Sequence, residues 1–350
     1  MPRVAWPPAA PGRNEWAGAD IVWDPRRVRS TGDDTPATSL VRYVWRMSGW
    51  HQAGLVGIAL VSAGLSVLPI QLQQRIIDDA IRPGDMALLG WLVGAYAAVI
   101  VGQQVVKVIL RAYQAWIGYS AIAYTRQHFS RTQSHPDGEP EPSGEQIAIL
   151  TTETEKLGRF VGSGPSDAVV SLATIVALLA YMAAVEPIIV LASLPLLLAQ
   201  VFSAPIFQRR LDRLIERRLG AVRRMADTAL TQAKEVADAE DGGLLGRRVR
   251  HIFNVSMWLE LWKIAMKATI NAIGALGPLA VLAIGGWLTI RGDTTIGVVV
   301  AFMSGFTRLT DPMREVIMQY RQYAQARVQH QMIADTVTGA VEERRGSSPS

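Results

Sequence analysis

Gln103, Lys107 and Arg111 recur every four residues at the end of a long apolar stretch. That spacing puts the three side chains on one face of a helix. Polar groups are expensive within a membrane and face a cavity, a partner or the membrane rim. Two readings of the stripe stay open. Either it lines a vestibule that a polar cargo crosses, or it lies beyond the hydrocarbon, where Lys107 and Arg111 reach lipid phosphates. Farther on, Arg308 and Asp311 stand three residues apart and can pair on one helix face, and Pro312 follows, where a helix would bend. A charged pair beside a kink suits a gating or cargo-facing element, or a structural pair closing contacts with a neighbouring helix. Gln200 and Asn271 are isolated amides in two further apolar stretches, able to bond across helices or to touch cargo. What these residues can do is move or admit a molecule.

Bond-making chemistry has no comparable support. The sequence has no cysteine, which excludes disulfides, thiol catalysis and cysteine-bound metals. Its five histidines, His51, His128, His135, His251 and His330, lack the spacing of a metal site. A phosphate-cradling Walker loop requires a Gly-Lys dipeptide, and the sequence contains none. The chain is therefore expected to hydrolyse no ATP alone, and neither a catalytic nor a metal-binding residue is assigned.

The polar residues must be positioned by membrane helices. Hydrophobic residues make up 49% of the 350 and charged residues 19%. The apolar ones gather into blocks of roughly twenty, enough to cross a bilayer core of about 30 Å. Six blocks stand out, at 53–70, 86–106, 167–185, 188–207, 268–290 and 296–318. The connections at 71–85, 186–187 and 291–295 are short. The other two, after the second and fourth blocks, are long. Positive charge collects in the long ones, as Arg209, Arg210, Arg213, Arg217 and Arg218, and again as Arg247, Arg248, Arg250, Lys263 and Lys267. This bias puts both long connections and both termini in the cytoplasm. It also accounts for the net charge of +5 without any nucleic-acid partner.

Much of the long connections reads as helix. Leu211, Leu214, Ile215, Leu219 and Val222 follow a three-or-four spacing. The interruptions fall at Asp241-Gly242-Gly243 and at the proline-rich run from His135 to Pro142. The membrane helices are thus expected to continue into the cytoplasm as paired arms. Gly90 and Gly94 form a small-xxx-small pattern of the kind that allows ordinary close packing. Residues 1–39, with Pro7, Pro8 and Pro11 but no apolar segment, read as a flexible cytoplasmic tail. Residues 338–350 read as a disordered one.

Three segments carry a family resemblance. Pro69 leads into Ile76-Ile77-Asp78-Asp79-Ala80-Ile81 at the end of the first block. Thr295-Ile296-Gly297 opens the sixth and runs through Ala301-Phe302 to Leu309-Thr310-Asp311-Pro312. Between the second and third blocks stand Ser143-Gly144-Glu145-Gln146-Ile147 and then Glu153. In order and spacing these resemble the transmembrane domain of type-1 ABC exporters, over residues 40–337. The resemblance implies an all-α membrane protein, six transmembrane helices extended into long cytoplasmic helical arms.

It implies further that the chain is the permease subunit of an ATP-driven exporter in the bacterial inner membrane, forming half of a translocation pathway as a homo- or heterodimer. ATP and Mg would be bound by a partner, either an ABC ATPase subunit or a nucleotide-binding half-transporter. Gly144, Glu145 and Glu153 in the first arm, with Leu230, Gln232 and Glu235 in the second, would couple to that ATPase. The second arm departs from the family pattern, since Gln232 stands where glycine is usual. The alternative is an exporter-fold scaffold or regulatory partner without transport activity.

Overall fold

The computed structural model describes residues 24–25, 39–133, 152–235 and 242–346, and among these no strand occurs. Among the described residues seven α-helices follow one another: α1 (Leu40–Ser48), α2 (His51–Arg75), α3 (Met86–Gln133), α4 (Thr154–Val185), α5 (Pro187–Glu235), α6 (Gly242–Arg291) and α7 (Ile296–Gly346). Among the described residues, four segments are long and apolar enough to cross a membrane: His51–Ile81, Met86–Gln127, Thr154–Val185 and Val249–Arg291. The fourth block forms a shorter apolar stretch, Pro187–Gln200. The sixth opens α7, where Arg308 and Asp311 lower its apolar character below that of the other four.

Helix lengths answer the question of arms. With 49 residues, α5 extends over about 74 Å at the usual rise, more than twice a hydrocarbon core of about 30 Å. Helices α3 (48 residues) and α6 (50 residues) exceed the core similarly. Glu186 alone separates α4 from α5, and Pro187 takes the first helical position, where its missing N–H costs nothing. Gly292 ends α6 with φ 85°, in the left-handed region that favours glycine, and residues 292–295 make the turn into α7.

Two expectations are corrected. The connection 71–85 is mostly helical, because α2 runs to Arg75 and continues as a π-helical turn, Ile76–Ile81. Gln71, Leu72, Gln73 and Gln74 are good helix formers, and nothing there breaks the ladder. Likewise α7 continues to Gly346. Ala340, Glu342, Glu343, Arg344 and Arg345 favour helix over the expected tail.

The chain divides into two compact units. One contains α1, most of α2, α3, the greater part of α4, and α7 from Asp311 onward. Helix α1 is too short to persist alone, and its apolar face anchors it. Leu40, Tyr43, Val44 and Met47 are buried with Leu55, Leu110, Ile117, Leu157, Val161 and Ala326. The Ser39 hydroxyl accepts the Arg42 N–H at 3.3 Å and caps the first turn. Tyr43 Oη lies 2.6 Å from Thr125 Oγ1. Thr125 donates its own proton to the Ala121 carbonyl at 2.8 Å, which leaves Tyr43 as the donor. Burial pushes the Tyr43 phenol up to about 12. Along α3 the apolar Val93, Val101, Val105, Val108 and Ile109 are exposed, as suits a helix solvated by lipid.

The other unit contains the π-helical turn, the end of α4, α5, α6 and α7 through Thr310. Helices α5 and α6 pack along each other. Phe207 and Trp262 lie 5.9 Å apart, and the Arg210 guanidinium sits 5.0 Å from the Trp262 ring. Toward the other end of α6, Arg291 lies 3.8 Å over Trp287. About 38 Å of helix separates the two tryptophans, matching the distance between the aromatic belts of a bilayer.

Candidate functional site

The first unit holds a polar network between α3 and α4. Asp167, 7% exposed, accepts bonds from the Arg111 Nη1 at 2.8 and 3.0 Å and from Gln114 Nε2 at 2.8 Å. Gln114 Nε2 also reaches Ser166 Oγ at 2.8 Å, and Gln114 Oε1 accepts from Arg111 at 3.0 Å. A buried carboxylate is tolerated only when paired and hydrogen-bonded, and here both conditions hold. The arrangement pins one membrane helix to the next.

The predicted stripe is consequently divided among different tasks. Gln103 donates from Nε2 to the Leu65 carbonyl of α2, Lys107 is exposed, and Arg111 belongs to the Asp167 network. Gly90 and Gly94 are approached by no described atom within 4 Å of where a Cβ would sit. In α7, Arg308 and Pro312 are half-buried and Asp311 is exposed. The ion pairs among the described residues do not include Arg308 with Asp311.

The second unit brings together two segments that the sequence reading had noted separately. Asp78, in the π-helical turn, receives the Thr295 hydroxyl on Oδ2 at 2.6 Å and the Gly297 N–H on Oδ1 at 3.0 Å. Thr295 Oγ1 in turn accepts the Val298 N–H at 3.4 Å. Together they take up the orphan N–H groups of Gly297 and Val298 in the first turn of α7, and the negative charge sits at the positive end of the helix. A side chain at position 297 would run into the Asp78 carboxylate and the Gln74 carbonyl. Nearby, the Tyr181 hydroxyl donates to Gln74 Oε1 at 2.7 Å. Gln200 on α5 is 5% exposed and its Oε1 finds no partner among the described residues, while Asn271 on α6 is exposed.

Of the arm residues, Glu153 pairs with Lys156 at 2.9 Å. Gly144 and Glu145 lie outside the described residues. Leu230, Gln232 and Glu235 fall on the final turns of α5, and their side chains lie outside what is described.

Sequence reasoning missed Gln114, Ser166 and Asp167 as a group, because Asp167 was read as the edge of an apolar block. It also missed the partnership of Asp78 with Thr295. The usable signal was a threonine directly before the first residue of an apolar helix, a capping position.

Against known proteins, residues 53–232 match the family model for the ABC transporter transmembrane region. The chain is 27% identical over 299 residues to a multidrug efflux ATP-binding/permease protein of Mycobacterium bovis, covering 77% of this chain and 24% of that protein. The same figures hold for a protein of that description from Mycobacterium tuberculosis. The chain thus spans about a quarter of the length of these curated relatives. Its long apolar helices make it an integral membrane protein, and the matched region takes in more than half of it. On these grounds the chain belongs to the ABC transporter transmembrane region family.

Proposed function

We propose that this chain is the permease subunit of an ATP-driven exporter, half of a translocation pathway completed by a second subunit. The observation that carries the reading is the length of α3, α5 and α6. Each continues about 40 Å beyond what a bilayer core requires, which suits transmission of a movement from a cytoplasmic motor. A separate ATPase subunit, with its ATP and Mg, docks at the arm ends near Gly144, Glu145 and Glu153 and near Leu230, Gln232 and Glu235. Its closure draws the two halves together and alternates access to the pathway. The distribution of basic residues supports cytoplasmic arms and termini and a place in the bacterial inner membrane. The relatives' description as multidrug efflux proteins supports outward movement of drug-like cargo.

Because the chain has no cysteine, single cysteines at Gly144 and Gln232 can be crosslinked in native membranes without background. A nucleotide-binding protein captured at both positions, with ATP hydrolysis that Gln232→Ala uncouples from export, is the expected result. Intact protein that crosslinks no nucleotide-binding partner would instead favour the scaffold reading, which the departure at Gln232 supports.

A further inference from the structure

Within the first unit, α3 and α4 meet at three glycines. A β-carbon on Gly158 would run into Gly118 and the Ile122 side chain, and one on Gly162 into Gly118 and the Gln114 carbonyl. The helices therefore approach backbone to backbone. Beside this crossing, Arg111 and Tyr119 of α3 and Arg159 and Ser163 of α4 line one open cavity of about 320 Å³. Part of the surface that a ligand meets there is polar.

The donors on that surface are only partly engaged. The hydrogen bonds of Arg111 to Asp167 and Gln114 all leave from Nη1, so its Nε and Nη2 have no partner among the described residues. Arg159 commits Nη2 alone, to Glu155. The Tyr119 hydroxyl bonds to no described residue, and Tyr119 is exposed. Ser163 holds the Arg159 carbonyl at a long 3.2 Å. The arginine side chains are 66% and 69% exposed, so a ligand can reach their free N–H groups.

Two carboxylates stand against these charges. Asp167 is buried and shared with Gln114, which leaves Arg111 much of its fork. The Arg159–Glu155 pair is an exposed one on a single helix. Such a pair is worth about 0–1 kcal/mol, so Arg159 can exchange it for a stronger partner at little cost. A phosphate group is that partner. It has enough oxygens to take a fork from each arginine and a hydroxyl besides, whereas a carboxylate is filled by one fork.

We propose that this cavity binds a phosphate group, carried there by the headgroup of an anionic lipid. Position selects the carrier. The second apolar block ends at residue 106, so Arg111 lies about 8 Å beyond it along the helix, at the outer edge of a headgroup layer of about 5–8 Å. Lys107 is exposed one turn nearer the membrane on the same helix face and adds charge along the approach. Arg159, packed opposite Gly118, closes the far side. A free phosphate offers the same oxygens but has no acyl chains to hold it at this depth. The site stands whether or not the chain transports anything.

The full chain in detergent would be titrated with phosphatidylglycerol, oleate (anionic without phosphate) and phosphatidylcholine (a phosphate with its charge cancelled), and bound lipid counted by native mass spectrometry. A single saturable phosphatidylglycerol adduct is expected at concentrations about tenfold below those needed for the other two. Arg159→Gln, at an exposed position where folding is retained, removes that preference. Arg159→Lys keeps the charge without the fork and restores it only in part. Lys263→Gln breaks a comparable exposed pair, with Glu260 in the other unit, and leaves it unchanged. Equal adducts with all three lipids, or a phosphatidylglycerol preference that survives Arg159→Gln combined with Tyr119→Phe, would mean general adsorption and overturn the proposal. Inorganic phosphate retained without lipid and lost in Arg159→Gln, with no preference for phosphatidylglycerol, would assign the site to a soluble phosphate and overturn the headgroup as its source.

Discussion

At the scale of single residues, the charged groups act in pairs, and the pairs decide the outcome of substitution. Arg111 shares Asp167 with Gln114, but the arginine side chain is 66% exposed, so solvent screens part of the attraction. Arg111→Ala and Asp167→Ala are each expected to cost about 1–3 kcal/mol, and the double variant less than their sum. A double-mutant cycle on thermal unfolding in detergent should return a coupling of about 1 kcal/mol. A coupling near zero would show that the pair contributes nothing beyond its parts.

Tyr43 carries a pH prediction whose sign follows from its raised phenol. Below pH 10 both folded and unfolded chains keep the proton, and this group gives no pH dependence. Between pH 10 and 12 the unfolded chain loses it while the folded chain does not, so stability falls as pH rises. The loss reaches roughly 2–3 kcal/mol, and Tyr43→Phe should flatten that part of the melting-temperature profile. The apolar spacing of Leu40, Tyr43, Val44 and Met47 lies before the first apolar block and was not read as a helix, and the partner Thr125, 82 residues away, was hidden because one hydroxyl among many carries no positional signal.

At the scale of elements, apolar periodicity and length foretold the helices well, and their ends poorly. The turn at Glu186-Pro187 and the one at 292–295 were legible because proline and glycine impose them. The helical continuation of α2 through Ile81 was not, since a polar glutamine run reads equally as a loop. How closely helices approach was also hidden. In the second unit Gly277 of α6 lies against the fully buried Phe306 ring of α7, and a β-carbon at that position would overlap the ring. Phe306 is 0% exposed, so its ring cannot swing out into solvent without repacking its neighbours. Gly277→Ala is therefore expected to destabilise the protein by about 1–3 kcal/mol despite alanine's better helix propensity. An unchanged or higher unfolding temperature would mean that α6 and α7 can slide apart freely.

At the scale of the whole molecule, the sequence motifs that mark the family are also what tie distant parts of one unit together. The apolar blocks and the great length of the helices were readable because membrane thickness sets how many residues a span needs, and any excess stands out. That Asp78 of one motif caps the helix opened by the other was not readable, because each motif alone looks like an end of a span. Asp78→Ala should lower stability by about 1–2 kcal/mol through loss of the cap, and Gly297→Ala should do so at least as strongly. Melts of the two single variants and the double would show them failing to add, since both remove one junction. The same junction sets a timetable for synthesis. Thr295 leaves the ribosome 217 residues after Asp78, so at about 5–20 residues per second the carboxylate waits roughly 10–40 s for its cap. Throughout that interval the newly made first span must keep Asp78 away from rival cations such as Arg75 and Arg82, and any delay in translation lengthens its exposure to mispairing.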